Sequence, residues 1–267
     1  MKSIAATIVA LTSIAAGAPA AARDLQEVLN TGTMCVGIAL FAPWAARGSD
    51  GQFIGFEVDV ARQLAADMGV RAQLIPYDVE RLVPALESGE IDIVAAGLTI
   101  TPERALHVNF SAPYAESGVT LATHVERTAS VTGIGALDDA AVTIAAVEGS
   151  VAVPLAQRLW PRAELKVFAS AQAASTALLA GEVHAYLESE PVPTFLELEN
   201  PGVIDVPLAR PLLASRAGFA INKGDADFLA FLNAWINARE ADTWLPTTAS
   251  YWFKSLRWRE SLDDGRR

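Results

Sequence analysis

Gly97-Leu98-Thr99-Ile100-Thr101-Pro102-Glu103-Arg104 is the segment whose residue types and spacing point most directly to chemistry. Thr101 reads as a helix N-cap, Pro102 as the first helical residue and Arg104 as the third, which sets a guanidinium in the first turn. A helix start already carries unpaired N–H groups and roughly half a positive charge, so a cation there is unfavourable by about 0.3–1 kcal/mol. An anion held between the arginine and those N–H groups reverses the sign. The competing reading is an arginine whose stem simply lies along the surface.

Other chemistry has little footing. His107, His124 and His184 are scattered, Cys35 is the only cysteine, and no metal-ligand spacing results. Neither a Gly-x-Ser-x-Gly elbow nor a phosphate-binding glycine loop occurs, so we expect no enzyme, no catalytic residue, no cofactor and no metal. The net charge of -11 argues against nucleic acid as a partner. A single cysteine excludes an internal disulfide, and in its apolar strand Cys35 reads as a buried, inert thiol.

The elements that position Arg104 follow from the rest of the chain. Residues 1–22 read as an export signal: Lys2, then an apolar stretch from Ile4 to Ala16, then small residues offering cleavage near Ala20 or Ala22. No later apolar run reaches the roughly 20 residues that a bilayer requires, so the expected location is the periplasm, without an anchor. About 245 residues remain, enough for two domains of ordinary size.

Two stretches share one grammar 92 residues apart. Residues 85–97 and 177–189 each read as a helix end, a glycine cap, then a short strand running into a loop. Met34 to Ile38 likewise has its counterpart in Val142 to Val147. Strands alternating with helices imply parallel α/β sheets, and two such sets imply two lobes. Apolar residues at Val58, Ala61, Leu64, Ala65 and Met68 predict a helix ended by Gly69, with Glu57 and Asp59 suiting its first-turn dipole. Further helices are predicted over 79–87, 171–179 and 225–239, and the aromatic tail from Tyr251 to Trp258 should pack on a lobe. Open α/β sheets bind ligands at the carboxyl ends of their strands, which places Gly97 and Ser189 at such points. No coiled-coil pattern suggests assembly, and a monomer is expected.

Gly55-Phe56-Glu57-Val58-Asp59-Val60-Ala61-Arg62-Gln63-Leu64-Ala65 resembles the signature of the bacterial extracellular solute-binding proteins of family 3, receptors of polar amino acid ABC importers. Residues 97–104 are similar to that family's second hallmark, followed by Phe110-Ser111-Ala112-Pro113-Tyr114. Glu148-Gly149-Ser150 resembles the start of its second-lobe binding turn, and residues 218–225 its return to the first lobe. The resemblance spans roughly residues 25–253. It implies a two-lobed, type II periplasmic-binding-protein-like α/β fold, its lobes joined by two crossover strands. The lobes would be 23–116 plus 213–267, and 117–212. It also implies that Arg104 takes a ligand carboxylate bidentately, assisted by the hydroxyl and N–H of Thr99 and by N–H groups near Ser150. The ligand would be a small carboxylate-bearing solute, an amino acid or derivative, delivered by hinge closure to an ABC permease.

The departures bear on which solute this is. Amino-acid-selective members resembling this chain carry an aspartate at the position of Ser189, another near Ala39, and an aromatic at the position of Val79. All three are changed here, while Phe41 and Trp44 keep apolar and aromatic character. Strand parity puts Glu188 and Glu190 on the face opposite Ser189, unless the strand ends or bulges there. Both readings of these acids stay open: solvated or structural groups, or a substitute ammonium partner. An ammonium buried without a partner costs several kcal/mol, against about 8 kcal/mol for micromolar binding. A carboxylate whose amine is weak or missing is therefore a candidate too. Two alternatives share the scaffold. Cyclohexadienyl dehydratases resemble the family but place their general acid at the position of Val192, and a periplasmic sensory receptor would present its closed form to a membrane partner.

Overall fold

The computed structural model describes residues 23–148 and 150–262; the predicted export signal lies outside them. The first lobe begins with α1 (Leu25–Thr31), β1 (Thr33–Ile38), a small hairpin of β2 (Ala46–Arg47) and β3 (Phe53–Ile54), α2 (Phe56–Met68) and β4 (Arg71–Pro76). It continues through α3 (Val79–Glu87), β5 (Ile93–Val94), α4 (Pro102–Ala105) and β6 (Asn109–Phe110). The chain crosses over on β7 (Ala115–His124) and builds the second lobe from β8 (Thr143–Val147), α5 (Ala152–Leu159), β9 (Glu164–Phe168), α6 (Ala171–Leu179), β10 (Ala185–Ser189), α7 (Val192–Glu199) and β11 (Ile204–Asp205). It returns on β12 (Leu213–Ala217) to β13 (Ala220–Ile221), α8 (Ala226–Ala241) and α9 (Trp244–Phe253).

Two main sheets result, ordered β4-β1-β5-β13-β6 and β11-β7-β10-β8-β9, with β12 paired to β7. They are mixed rather than parallel throughout. β1 lies parallel to β4 and β5, and β8 parallel to β9 and β10, but β13 runs antiparallel to β5, and β7 antiparallel to β10. The antiparallel members are the strands that enter from the other lobe, and they arrive without the right-handed helical crossover that parallel pairing requires. Apolar clusters cover both faces of each sheet, as expected where helices flank parallel strands.

The duplication is closest in one pair of helices: α6 and α3 have equal length and the same 92-residue offset. Their caps fall on Ser88 and Ala180, one residue before the glycines expected to cap them. α2 ends in the left-handed Gly69 as predicted. Gly55, at its start, holds φ +135°, and a Cβ there would stand 2.4 Å from the Trp44 carbonyl oxygen, so only glycine fits.

α9 was not legible as a helix, yet it carries the aromatic tail onto the first lobe. Trp252 Nε1 donates to Asp59 Oδ2 at 2.7 Å, and Trp235 Nε1 on α8 donates to Asp67 Oδ2 at 2.7 Å, so two acids of α2 anchor the last two helices. The tail also touches the second lobe. Trp258 packs on Phe195 of α7 with ring centroids 5.7 Å apart, and Arg259 lies over Phe195 while pairing with Glu199. Cys35 is half-buried rather than sealed in the core, 3.3 Å from Nη2 of Arg23, and burial pushes its thiol upward.

Candidate functional site

α4 starts as predicted: Thr101 Oγ1 accepts the Arg104 N–H at 3.3 Å, with Pro102 at the first helical position. The helix is only four residues long, however, so little macrodipole accumulates and the charge penalty expected at its start is small. Another contact aims the arginine. Nη1 of Arg104 donates to the Thr99 carbonyl at 2.9 Å, which folds the side chain back over its own loop. Arg104 is half-buried and lines a cavity of about 330 Å³ between the lobes, so its stem does not lie along an outer surface. No carboxylate pairs with it among the described residues.

The loop carrying Gly97 and Thr99 is held from two sides. Ahead of it, Thr99 bridges Ala217, and the Ile100 N–H donates to the Arg216 carbonyl at 2.9 Å, tying the loop to the returning crossover strand. Behind it stands Glu57, which is fully buried. Its Oε1 accepts the Gly97 N–H at 2.7 Å and its Oε2 accepts the Tyr114 hydroxyl at 2.7 Å. Burial pushes the Glu57 carboxyl up to about 7, outweighing the two hydrogen bonds that draw it down. Burial and the neighbouring carboxylate push the Tyr114 phenol upward as well. Reading Glu57 only as a first-turn acid missed this role. The signal was available, because Glu57 sits four residues before Ala61 and so belongs to the apolar face of α2.

The predicted apolar contacts divide into floor and rim. Trp44 is buried, packed on Phe56 at 5.8 Å and Phe253 at 4.6 Å, and a Cβ on Gly97 (φ +62°) would come within 3.0 Å of its ring. It forms the floor. Phe41 (60 % exposed) and Val79 (45 % exposed) line the same cavity at its rim. Both stand beside the half-buried Arg104.

The second lobe supplies Ser189 and Glu190, and the crossover strands supply Ser117 and Ser215, which face each other in register. These two serines were not anticipated, since their meeting depends on the pairing of β12 with β7. Strand parity separated Glu190 from Ser189, and here the structure differs: β10 ends at Ser189, so alternation no longer applies and both residues line the cavity. Glu188 takes the other role. Its carboxylate accepts from the Tyr186 hydroxyl and from the Ser189 N–H, each at 2.7 Å, and it does not line the cavity. Glu190 accepts a single side-chain bond, from Thr194 Oγ1 at 2.9 Å. Burial pushes its carboxyl upward, against the pull of Thr194, while Glu197 adds to the rise and Lys254 opposes it. Ser150 donates to the Val147 carbonyl at 2.7 Å and is not among the residues lining the cavity.

The arrangement can hold a small solute by its carboxylate at one wall and by a cationic or hydrogen-bonding group at the other. A larger hollow of about 740 Å³ lies beside the far end of β7 and shares no residue with this one. Among the described residues, no group of three or more His, Cys, Asp or Glu is placed to hold a metal, and no helix is long and apolar enough to cross a membrane.

Comparison with known proteins bears on the same segments. A family model described as "Bacterial extracellular solute-binding proteins, family 3" matches residues 34–255. The L-cystine-binding protein TcyJ of Escherichia coli K12 is 40% identical over 96 residues, a match covering 36% of this chain and 36% of that protein. A structure of a putative binding component of an ABC transporter from Wolinella succinogenes, complexed with lysine, is 31% identical. It covers 86% of this chain and 99% of the other, with a TM-score of 0.67. A structure of an ancestral cationic amino acid solute-binding protein is 29% identical over the same shares, with a TM-score of 0.75.

Proposed function

This chain belongs to the bacterial extracellular solute-binding proteins of family 3, and from that premise we propose that it captures an amino acid or close derivative between its lobes and hands it to an ABC importer. Arg104, the Thr99 N–H and the Thr99 hydroxyl take the α-carboxylate. Glu190 takes the α-ammonium in place of the aspartate absent at Ser189, and Phe41, Val79 and Trp44 meet the side chain. One observation carries this reading: Arg104 and Glu190 line one cavity, each half-buried, and among the described residues neither is joined to an opposite charge by a salt bridge. The lysine complexed with the Wolinella succinogenes protein and the cystine named for the Escherichia coli relative are amino acids of this kind.

The lobes, taken as 23–116 with 213–267 and as 117–212, close on the solute about β7 and β12. Ser150 reaches the ligand in the closed form, through its turn at the end of β8. The chain is exported by its first 22 residues, cut near Ala20 or Ala22, and works in the periplasm as a monomer. We read it as a binder rather than a dehydratase, since Val192 puts an apolar residue where those enzymes place their acid.

Calorimetric titration with a panel of amino acids tests the reading. Arg104→Ala should weaken every ligand by about 2–4 kcal/mol, the loss of a charge-assisted bidentate contact with the carboxylate left unpaired. Equal affinity in the variant would remove Arg104 from the site. Incubation with prephenate separates the enzyme reading, because turnover to phenylpyruvate would replace the binder.

A further inference from the structure

The crossover strands β7 and β12 are not the only join between the lobes. After α9 the chain makes a short 3₁₀ turn, Arg257–Ser261, whose side chains and backbone touch both. Its anchorage on the first lobe is firm. The Ser261 carbonyl accepts the Ser49 N–H at 2.9 Å, Leu262 bridges Gly48, and the Trp258 ring stands 5.7 Å from that of Trp252 on α9. Gly48 and Ser49 lie in the connection from β2 to β3, so the turn moves with that lobe.

α7 meets it from the second lobe. Phe195 is buried in an apolar cluster whose other buried members are first-lobe residues. Its ring centroid lies 5.7 Å from that of Trp258, and the Arg259 guanidinium sits 5.1 Å above it. Arg259 also pairs with Glu199, one turn further along α7. Thr194, the neighbour of Phe195, donates to Glu190 in the cavity wall, so the joint reaches the site through the first turn of the same helix.

We propose that this joint is a third tie between the lobes, a strap that favours the arrangement described here and opposes closure. Rotation of the second lobe about β7 and β12 carries α7 past a turn fixed to the first lobe. Rings already in close contact cannot be pressed nearer, so rotation must slide or part them. The contact is complete while Ser150 stands outside the cavity, and closing the cavity spends it. The proposal rests on the reading of two closing lobes, not on which solute closes them.

The test breaks the ion pair from each side and then exchanges it. Arg259→Glu and Glu199→Arg each place like charges across the joint, and the combined variant restores an opposite pair. Arg259 is half-buried and Glu199 exposed, neither lines the cavity, and melting temperatures check that each variant folds. Spin labels at Glu87→Cys on α3 and Gln157→Cys on α5, both exposed, report the lobe separation in a Cys35→Ala background. Without ligand, either single variant should shift the distance distribution towards the shorter separation that a bound amino acid produces. Affinity for that amino acid should rise by about three- to tenfold, the worth of an aromatic pair with its overlying cation. The combined variant should return part of the way, since the guanidinium over Phe195 is not regained. Unchanged or longer separations in the single variants, or a combined variant no nearer the native distribution than they are, overturns the strap. Native separations that stay the same when an amino acid binds would remove lobe closure itself. If no amino acid binds the native protein, the proposed ligand class fails while the unliganded distances still decide the strap.

Discussion

Glu57→Gln should remove a loss of stability that the native fold undergoes as pH rises. The Glu57 carboxyl is raised from 4.5 to about 7 in the folded protein by burial. A raised carboxyl holds its proton more tightly folded than unfolded, so its contribution to stability is fully present below pH 4.5 and declines as pH rises through about 7. That rise corresponds to about 3 kcal/mol, and because the group is fully buried, solvent screening does not reduce it. Glutamine keeps the geometry: its carbonyl accepts from Gly97 and its amide donates to the Tyr114 oxygen, with no ionisation at any pH. Thermal unfolding of both proteins at pH 4.5 and pH 8.5 reads the difference. The native protein should lose about 6–12 °C relative to the variant between those pH values, from about 2–4 °C per kcal/mol at this chain length. A gap between the two melting temperatures that is the same at both pH values would refute an ionising Glu57 beneath the Gly97 loop.

Two other outcomes follow from the site and its support. Amino acid affinity should rise with pH through the titration of Glu190, whose carboxyl burial holds above its usual 4.5, because only the ionised form pairs with an ammonium. Glu190→Gln should flatten that limb in calorimetric titrations, and an unchanged pH profile would exclude it as the acceptor. Gly55→Ala should destabilise the fold by several kcal/mol, since a Cβ would meet the Trp44 carbonyl at 2.4 Å on a backbone of φ +135°. Chemical denaturation measures this, and a cost below about 1 kcal/mol would mean that the Trp44 turn moves aside freely.

Local pattern alone carried much of this molecule. The periodicity of Val58, Ala61, Leu64 and Met68 with Gly69 behind them specified α2 to within a residue, and the Thr101-Pro102 pair specified the start of α4. The 92-residue echo specified two lobes, because a helix end, a glycine and a short strand are all encoded within a dozen neighbours. Charge, cysteine count and histidine spacing narrowed the chemistry before any fold was known.

What tertiary structure decided were the meetings between distant residues. Whether Glu188 or Glu190 enters the cavity depended on where β10 stops, and that is set by its pairing with β7 and β8 rather than by the alternation of its own side chains. Ser117 joined Ser215 only through the register of two crossover strands, and Glu57 found Gly97 and Tyr114 across separations of 40 and 57 residues. Sequence patterns report the face on which a residue lies; burial of a polar group and the partner it finds are properties of packing, which is settled only when every element competes for the same space.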